Sequence, residues 1–156
     1  MNERIVILGG GESGIGAAIL ARQKGYEVFL SDGGNISPDR RRTLKSQKID
    51  FEEGGHSEEL VLNANLVIKS PGIPDTAPLI QKIVSKQIAV ISEIEFAYRF
   101  IEKAKVIAIT GTNGKTTTSM LTYHLLKTAG YKVALGGNIG RSLARLEADG
   151  GYLYYD

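Results

Sequence analysis

The sequence predicts an α/β protein: a Rossmann-like parallel sheet domain followed by the first part of a P-loop α/β domain. Three observations carry this. Short β-branched runs alternate with helical stretches along the 156 residues. The runs are apolar on both faces, as when helices cover a parallel sheet on each side. Two of them lead straight into glycine loops that open helices, at "ILGGGESGIGAAIL" and "IAITGTNGKTTTSMLTYHLL".

In chain order, "RIVIL" (4–8) is the first strand, followed by a glycine turn and a helix near 14–24. "EVFL" (27–30) and a helix near 38–47 come next, then "IDFE" (49–52) and a helix near 57–64. "LVIK" (66–69) precedes a helix near 76–86, and "IAVI" (88–91) completes five strand units. "SEIEFAYRFIEKA" (92–104) places Ile94, Phe96, Ala97, Phe100 and Ile101 at helical spacing, which predicts a bridging helix over 93–103. A second block then offers strands at "KVIAIT" (105–110), "KVAL" (132–135) and "YLYY" (152–155), with helices at 115–129 and 139–148. The division falls near residue 93, giving domains over 1–93 and 94–156. Right-handed crossovers place every strand-to-helix loop along one sheet edge, where such folds bind ligands.

Composition narrows the class. Net charge is +2, so bulk electrostatics call for neither nucleic acid nor an acidic membrane. The absence of cysteine suits a reducing cytoplasm and excludes a disulfide framework. The apolar run Ile5–Leu8 is too short for a signal-peptide core or a membrane span. A cytoplasmic soluble protein is expected.

The first loop fits G-x-G-x-x-G through Gly9, Gly11 and Gly14. Missing Cβ atoms permit the tight turn and let a diphosphate reach backbone N–H groups at the helix N-terminus. Asp32 ends the second strand about twenty residues on, where a carboxylate can reach a ribose hydroxyl. A nicotinamide or flavin dinucleotide satisfies this pattern, and so does a UDP-sugar. "KSPGIPDTAP" (69–78) adds a stiff turn on the same edge, with Asp75 or Thr76 available to cap the next helix. His56, in "GGHSEEL", reads as a surface loop residue, "DRRR" (39–42) as a solvated helix face, and His124 as packed or half exposed.

The second loop, "GTNGKTTT", sits between an apolar strand and a long helix. Consecutive N–H groups of a glycine-rich turn form a nest for phosphate oxygens. Lys115 supplies positive charge to the β/γ phosphates, and Thr116 a hydroxyl to Mg²⁺. Gly111 lies closer to the Gly-Lys pair than the general P-loop pattern requires, so this is a variant. "GGNIG" (136–140) follows with Asn138 toward the ligand edge, and Asp156 is either a magnesium acid or the residue before one.

Two nucleotide loops in sequence, with "KSPGIP", "ITGTNGKTTT" and "GGNIG", resemble the Mur ligases of bacterial peptidoglycan synthesis, and specifically the branch that adds D-glutamate to UDP-N-acetylmuramoyl-L-alanine. The likeness runs through the whole chain but covers only about the first third of the family's pattern. It implies that Gly11, Ser13, Gly14, Asp32, Gly72 and Asn138 face the UDP substrate. It implies an ATP loop over Gly111, Thr112, Asn113, Gly114, Lys115, Thr116 and Thr117, with Lys115 and Thr116 catalytic and Thr116 on magnesium. ATP and Mg²⁺ are then the cofactors, and the reaction runs through an acyl phosphate. The family's later magnesium glutamate, histidine, carbamylated lysine, adenine pocket and amino-acid domain have no counterpart here, so the chain alone is expected to be an inactive N-terminal piece. The rival class is an NAD(P)-binding oxidoreductase domain, which leaves "GTNGKTTT" unexplained.

Overall fold

The computed structural model describes residues 3–102, 104–137 and 140–150. Five strands form one parallel sheet: β1 (Arg4–Leu8), β2 (Glu27–Asp32), β3 (Asp50–Glu53), β4 (Leu66–Lys69) and β5 (Ala89–Ser92), in the order β3-β2-β1-β4-β5. Around them lie α1 (Glu12–Gln23), α2 (Pro38–Ser46), α3 (Glu58–Leu62), α4 (Pro78–Ser85), α5 (Glu93–Tyr98), α6 (Lys115–Thr128) and α7 (Leu143–Ala148). The Rossmann-like sheet expected from the sequence is present.

Alternation along the strands sorts the core. Ile5, Ile7, Val28 and Leu30 point to one face, where they meet Ile15 and Ile19 of α1, Leu44 of α2, Phe96 of α5 and Ala144 of α7. Val6, Leu8, Phe29 and Val67 point to the other, against Val61 of α3 and Ile80 and Ile83 of α4. Each such aliphatic side chain stabilises the fold by about 1.5–3 kcal/mol through burial. The chain builds outward from β1 to β2 and β3, then returns to place β4 on the other side of β1. Reversing direction under a right-handed rule moves the helices to the opposite face. The loops after β1 and β4 consequently diverge, which opens the ligand crevice of this architecture.

Helices α1, α2 and α4 end alike. Gly25 lies at φ 88° and Tyr26 N–H reaches Ala21 O at 3.1 Å, a left-handed closure after α1. Lys48 (φ 53°) after α2 and Gln87 (φ 60°) after α4 make the same turn without glycine, with Ile49 N–H on Leu44 O and Ile88 N–H on Ile83 O.

The second block departs from expectation. Residues 105–110 and 132–135 are not strands, and the proposed strand at 152–155 lies outside the described residues. A strand exists only through its ladder, and so few segments joined by a helix cannot build an independently stable sheet. Helix α6 does form, yet none of its residues is buried, and Met120, Leu121 and Leu125 stay exposed. The bridge helix stops at Tyr98 rather than 103 because Phe100 and Ile101 N–H bond to Ala97 and Tyr98 carbonyls, tightening the turn. Phe100 thereby folds edge-on against Phe96, with ring centroids 5.2 Å apart. Helix α7 begins at Leu143 rather than 139 and packs on α1: a Cβ on Gly16 would stand 2.1 Å from Ser142 Oγ.

Candidate functional site

The first glycine loop crosses the C-terminal end of β1 at the switch point. Gly9, at φ 102°, donates its N–H to Ser31 O at 2.9 Å, and a Cβ there would lie 2.4 Å from Ser70 Oγ. Backbone is thus pressed against both neighbouring strand ends. Gly14 is equally constrained, since its Cβ would stand 1.8 Å from Gly9 O. Gly11 differs: a Cβ there meets nothing within 4 Å. Gly11 is the N-cap of α1 and supplies no side-chain acceptor to the first-turn amides of Glu12 and Ser13. Backbone donors with the positive end of a helix dipole beside an open approach bind anions.

Asp32 lies at the end of β2, and its carboxylate is engaged within the protein. Oδ2 accepts from Gly10 N–H, and Oδ1 accepts from Gly34 N–H at 2.7 Å. Asp32 therefore fixes both loops around the crevice.

A cavity of about 580 Å³ continues from Ser13 between the ends of β4 and β5, bounded by Lys69, Pro71, Asp75, Glu93 and Gly137. Gly72 lies exposed in the turn beside Pro71. The KSPGIP turn is stapled by Lys69, whose Nζ donates to Ile73 O at 2.6 Å and pairs with Asp75 at 3.1 Å. The expected capping role of Asp75 or Thr76 is corrected: the N-cap of α4 is Ala77, which makes no side-chain cap, and Pro78 opens the helix. Lys69 and Glu93 are not among the residues singled out from sequence. Their only signal was position, each at or just past a strand end on the ligand edge.

Glu93 is buried at 5% exposure, and its Oε1 accepts the Ala144 N–H at 2.5 Å. Burial pushes its carboxyl up from the ordinary range, the Ala144 bond opposes this, and the charge of Glu12 adds to the rise. One carboxyl thus joins α5, α7 and the cavity wall.

The second loop lies apart from this crevice. Gly111 (φ 150°) and Gly114 (φ 75°) shape it, and Gly114 caps α6 with no side-chain acceptor on the first-turn amides. Lys115 Nζ bends back to donate to Gly111 O and, at 3.2 Å, to Thr112 O. Thr112, Asn113, Thr116 and Thr117 are exposed around it. This open turn of amides with one ammonium fits phosphate oxygens. Among the described residues no cluster of three or more His, Asp or Glu could hold a metal ion. Asn138 and Asp156 lie outside the described residues.

His124 is exposed on α6. Arg41 of the "DRRR" run bonds Glu53 at 2.8 Å, and Arg42 pairs with Asp39 at 2.5 Å, both at the surface. No described helix is long and apolar enough to cross a membrane.

Residues 4–78 match the MurD N-terminal domain, and residues 109–149 match the Mur ligase middle domain. The chain is 59% identical over 93% of its length to a UDP-N-acetylmuramoylalanine–D-glutamate ligase of Cytophaga hutchinsonii, and 56% identical over 98% to one of Bacteroides thetaiotaomicron. It spans about a third of those curated relatives, 32% and 34% respectively. Among solved structures, a pseudomurein peptide ligase type C of Methanothermus fervidus matches with TM-score 0.61 at 30% identity, covering 92% of this chain and 31% of that one. The UDP-N-acetylmuramate-alanine ligase MurC of Thermotoga maritima matches with TM-score 0.57 at 27% identity, over 86% of this chain and 32% of the other. The two family matches, in order along the chain, together with these likenesses, place the chain in the Mur ligase family.

Proposed function

We propose that this chain is the N-terminal part of an ATP-dependent ligase that joins D-glutamate to UDP-N-acetylmuramoyl-L-alanine in peptidoglycan synthesis, in the cytoplasm. Residues 1–93 hold the UDP substrate, and residues 94–156 begin the ATP-binding domain. The observation that carries this reading is the open Gly11–Ser13 amide cradle leading into the cavity beside Lys69. A diphosphate seated on the α1 amides can direct a sugar and its acyl chain into that space.

The remaining roles follow from chemistry. ATP phosphates would lie on the Gly111–Thr117 loop, with Lys115 neutralising charge and Thr116 offering a hydroxyl to Mg²⁺. When bound, ATP would supply the phosphoryl group and magnesium the charge neutralisation for activating the substrate carboxylate. This chain's own contribution is to bind and orient the two phosphate groups. Because the chain spans about a third of the relatives it matches, residues 1–156 alone are expected to show no ligase turnover.

The test is thermal denaturation with saturating UDP-N-acetylmuramoyl-L-alanine or NADH. Protection by the muramoyl nucleotide and none by NADH is expected. Protection by NADH alone would favour the oxidoreductase reading.

A further inference from the structure

Beside the diphosphate cradle, the ends of β2 and β3 hold a hydrogen-bonded triplet that the proposed chemistry leaves unused. Ser31 is fully buried, and its Oγ lies 2.6 Å from Glu52 Oε1 and 2.6 Å from His56 Nδ1. The same Glu52 oxygen accepts Ser57 N–H at 2.8 Å. Burial raises the Glu52 carboxyl, but the bonds from Ser31 and Ser57 outweigh it and hold the group below its ordinary range. Glu52 is therefore ionised and can only accept.

The proton count then fixes the histidine. Ser31 has one hydroxyl proton and gives it to Glu52, so Ser31 Oγ accepts from His56. His56 thus donates from Nδ1, and in the tautomer with its proton there Nε2 carries a lone pair. That nitrogen faces Gly33, where an added Cβ would lie 3.1 Å away. Gly33 has no side chain to cover it, and both residues are exposed.

Its place in the frame matters. Gly33 follows Asp32, whose carboxylate grips both Gly10 in the diphosphate loop and Gly34. In this architecture a nucleoside whose diphosphate sits on the α1 N-terminus lies across the end of β2, with its base beyond.

We propose that His56 Nε2 reads the base of the bound nucleotide by accepting the N3–H of uracil, making His56 a specificity-determining residue. This rests on the uridine diphosphate reading of the Gly11–Ser13 cradle. Uracil presents a donor at N3, whereas cytosine presents a lone pair there and would face the histidine's own. Discrimination arises because the wrong partner, once the base covers Nε2, leaves polar groups unpaired.

Calorimetric titration of the chain with UDP, N3-methyl-UDP and CDP tests it, using wild type, His56→Leu and His56→Gln. Wild type is expected to bind UDP about tenfold more tightly than either analogue, the scale of one lost hydrogen bond. His56→Leu should weaken UDP to the level of N3-methyl-UDP while leaving the methylated nucleotide within about twofold. His56→Gln, which keeps an acceptor oxygen, should retain most of the preference. Equal affinity of wild type for all three nucleotides would overturn the base-reading role while leaving the diphosphate reading intact. So would a His56→Leu protein with unchanged preference for UDP. Failure of wild type to bind any of the three would instead overturn the uridine diphosphate reading, and this inference with it.

Discussion

Replacing Gly14 with alanine pits two effects of known size against each other. Alanine is favoured over glycine within a helix by up to about 1 kcal/mol. The new methyl, however, would stand 1.8 Å from Gly9 O. An ordinary carbon–oxygen contact is about 3.3 Å, so roughly 1.5 Å must be opened. Gly9 cannot retreat: its N–H is bound to Ser31 O at 2.9 Å, and it already abuts Ser70. Overpacking against fixed backbone costs about 1–3 kcal/mol or more, so the clash outweighs the propensity gain. A net loss of about 2 kcal/mol is expected, or a Tm lower by roughly 6 °C for a chain of this size. Urea unfolding followed by circular dichroism measures it. Gly11→Ala is the control: φ is −71° and no atom lies within 4 Å of the added carbon. Its stability should stay within about 0.5 kcal/mol of wild type while UDP binding weakens about tenfold, because the methyl enters the diphosphate approach. A Gly14→Ala protein as stable as wild type would refute the packing of the loop.

Three further outcomes follow from the same structure. The folded-state pKa of Glu93 is raised, so its contribution to stability is fullest below the ordinary value of 4.5 and is lost as pH climbs through the raised one. Urea midpoints should therefore fall for wild type over that rise and fall less for Glu93→Gln, which keeps the acceptor for Ala144 N–H. Glu12 sits in the first turn of α1, beside the amides assigned to the diphosphate; removing its charge by Glu12→Gln should tighten UDP binding about threefold at low salt, read by calorimetry and lost at high salt. Lys48→Gly and Gln87→Gly should each raise stability by about 0.5–1 kcal/mol in denaturant titrations, because glycine relieves the left-handed backbone at both helix ends.

What was legible in the sequence follows from the range of the interactions. β1 through β5 emerge within a residue or two of their predicted bounds; β1, β2 and β4 do so through apolar runs buried on both faces, while β3 (DFEE) is only half-buried and is carried by its pairing with β2. The glycine loops are legible because Gly9 and Gly114 adopt left-handed backbone conformations that other residues rarely take. The runs at 105–110 and 132–135 have the same local pattern yet form no ladder, since pairing depends on neighbours rather than on the run itself. The seat of α7 on α1 depends on Gly16 meeting Ser142 and on Glu93 meeting Ala144, contacts between distant positions that no periodicity reports. His56 looked like an ordinary loop residue because its partners, Ser31 and Glu52, lie on two other strands.

The most direct test of the uridine diphosphate cradle is a titration of the ¹⁵N-labelled chain with UDP, followed by amide chemical shifts. Saturable changes largest at Gly11, Glu12 and Ser13, with smaller ones at Gly33 and Gly34, are predicted. Unmoved first-turn amides at saturating UDP, or shifts there from NADH and none from UDP, would contradict the assignment.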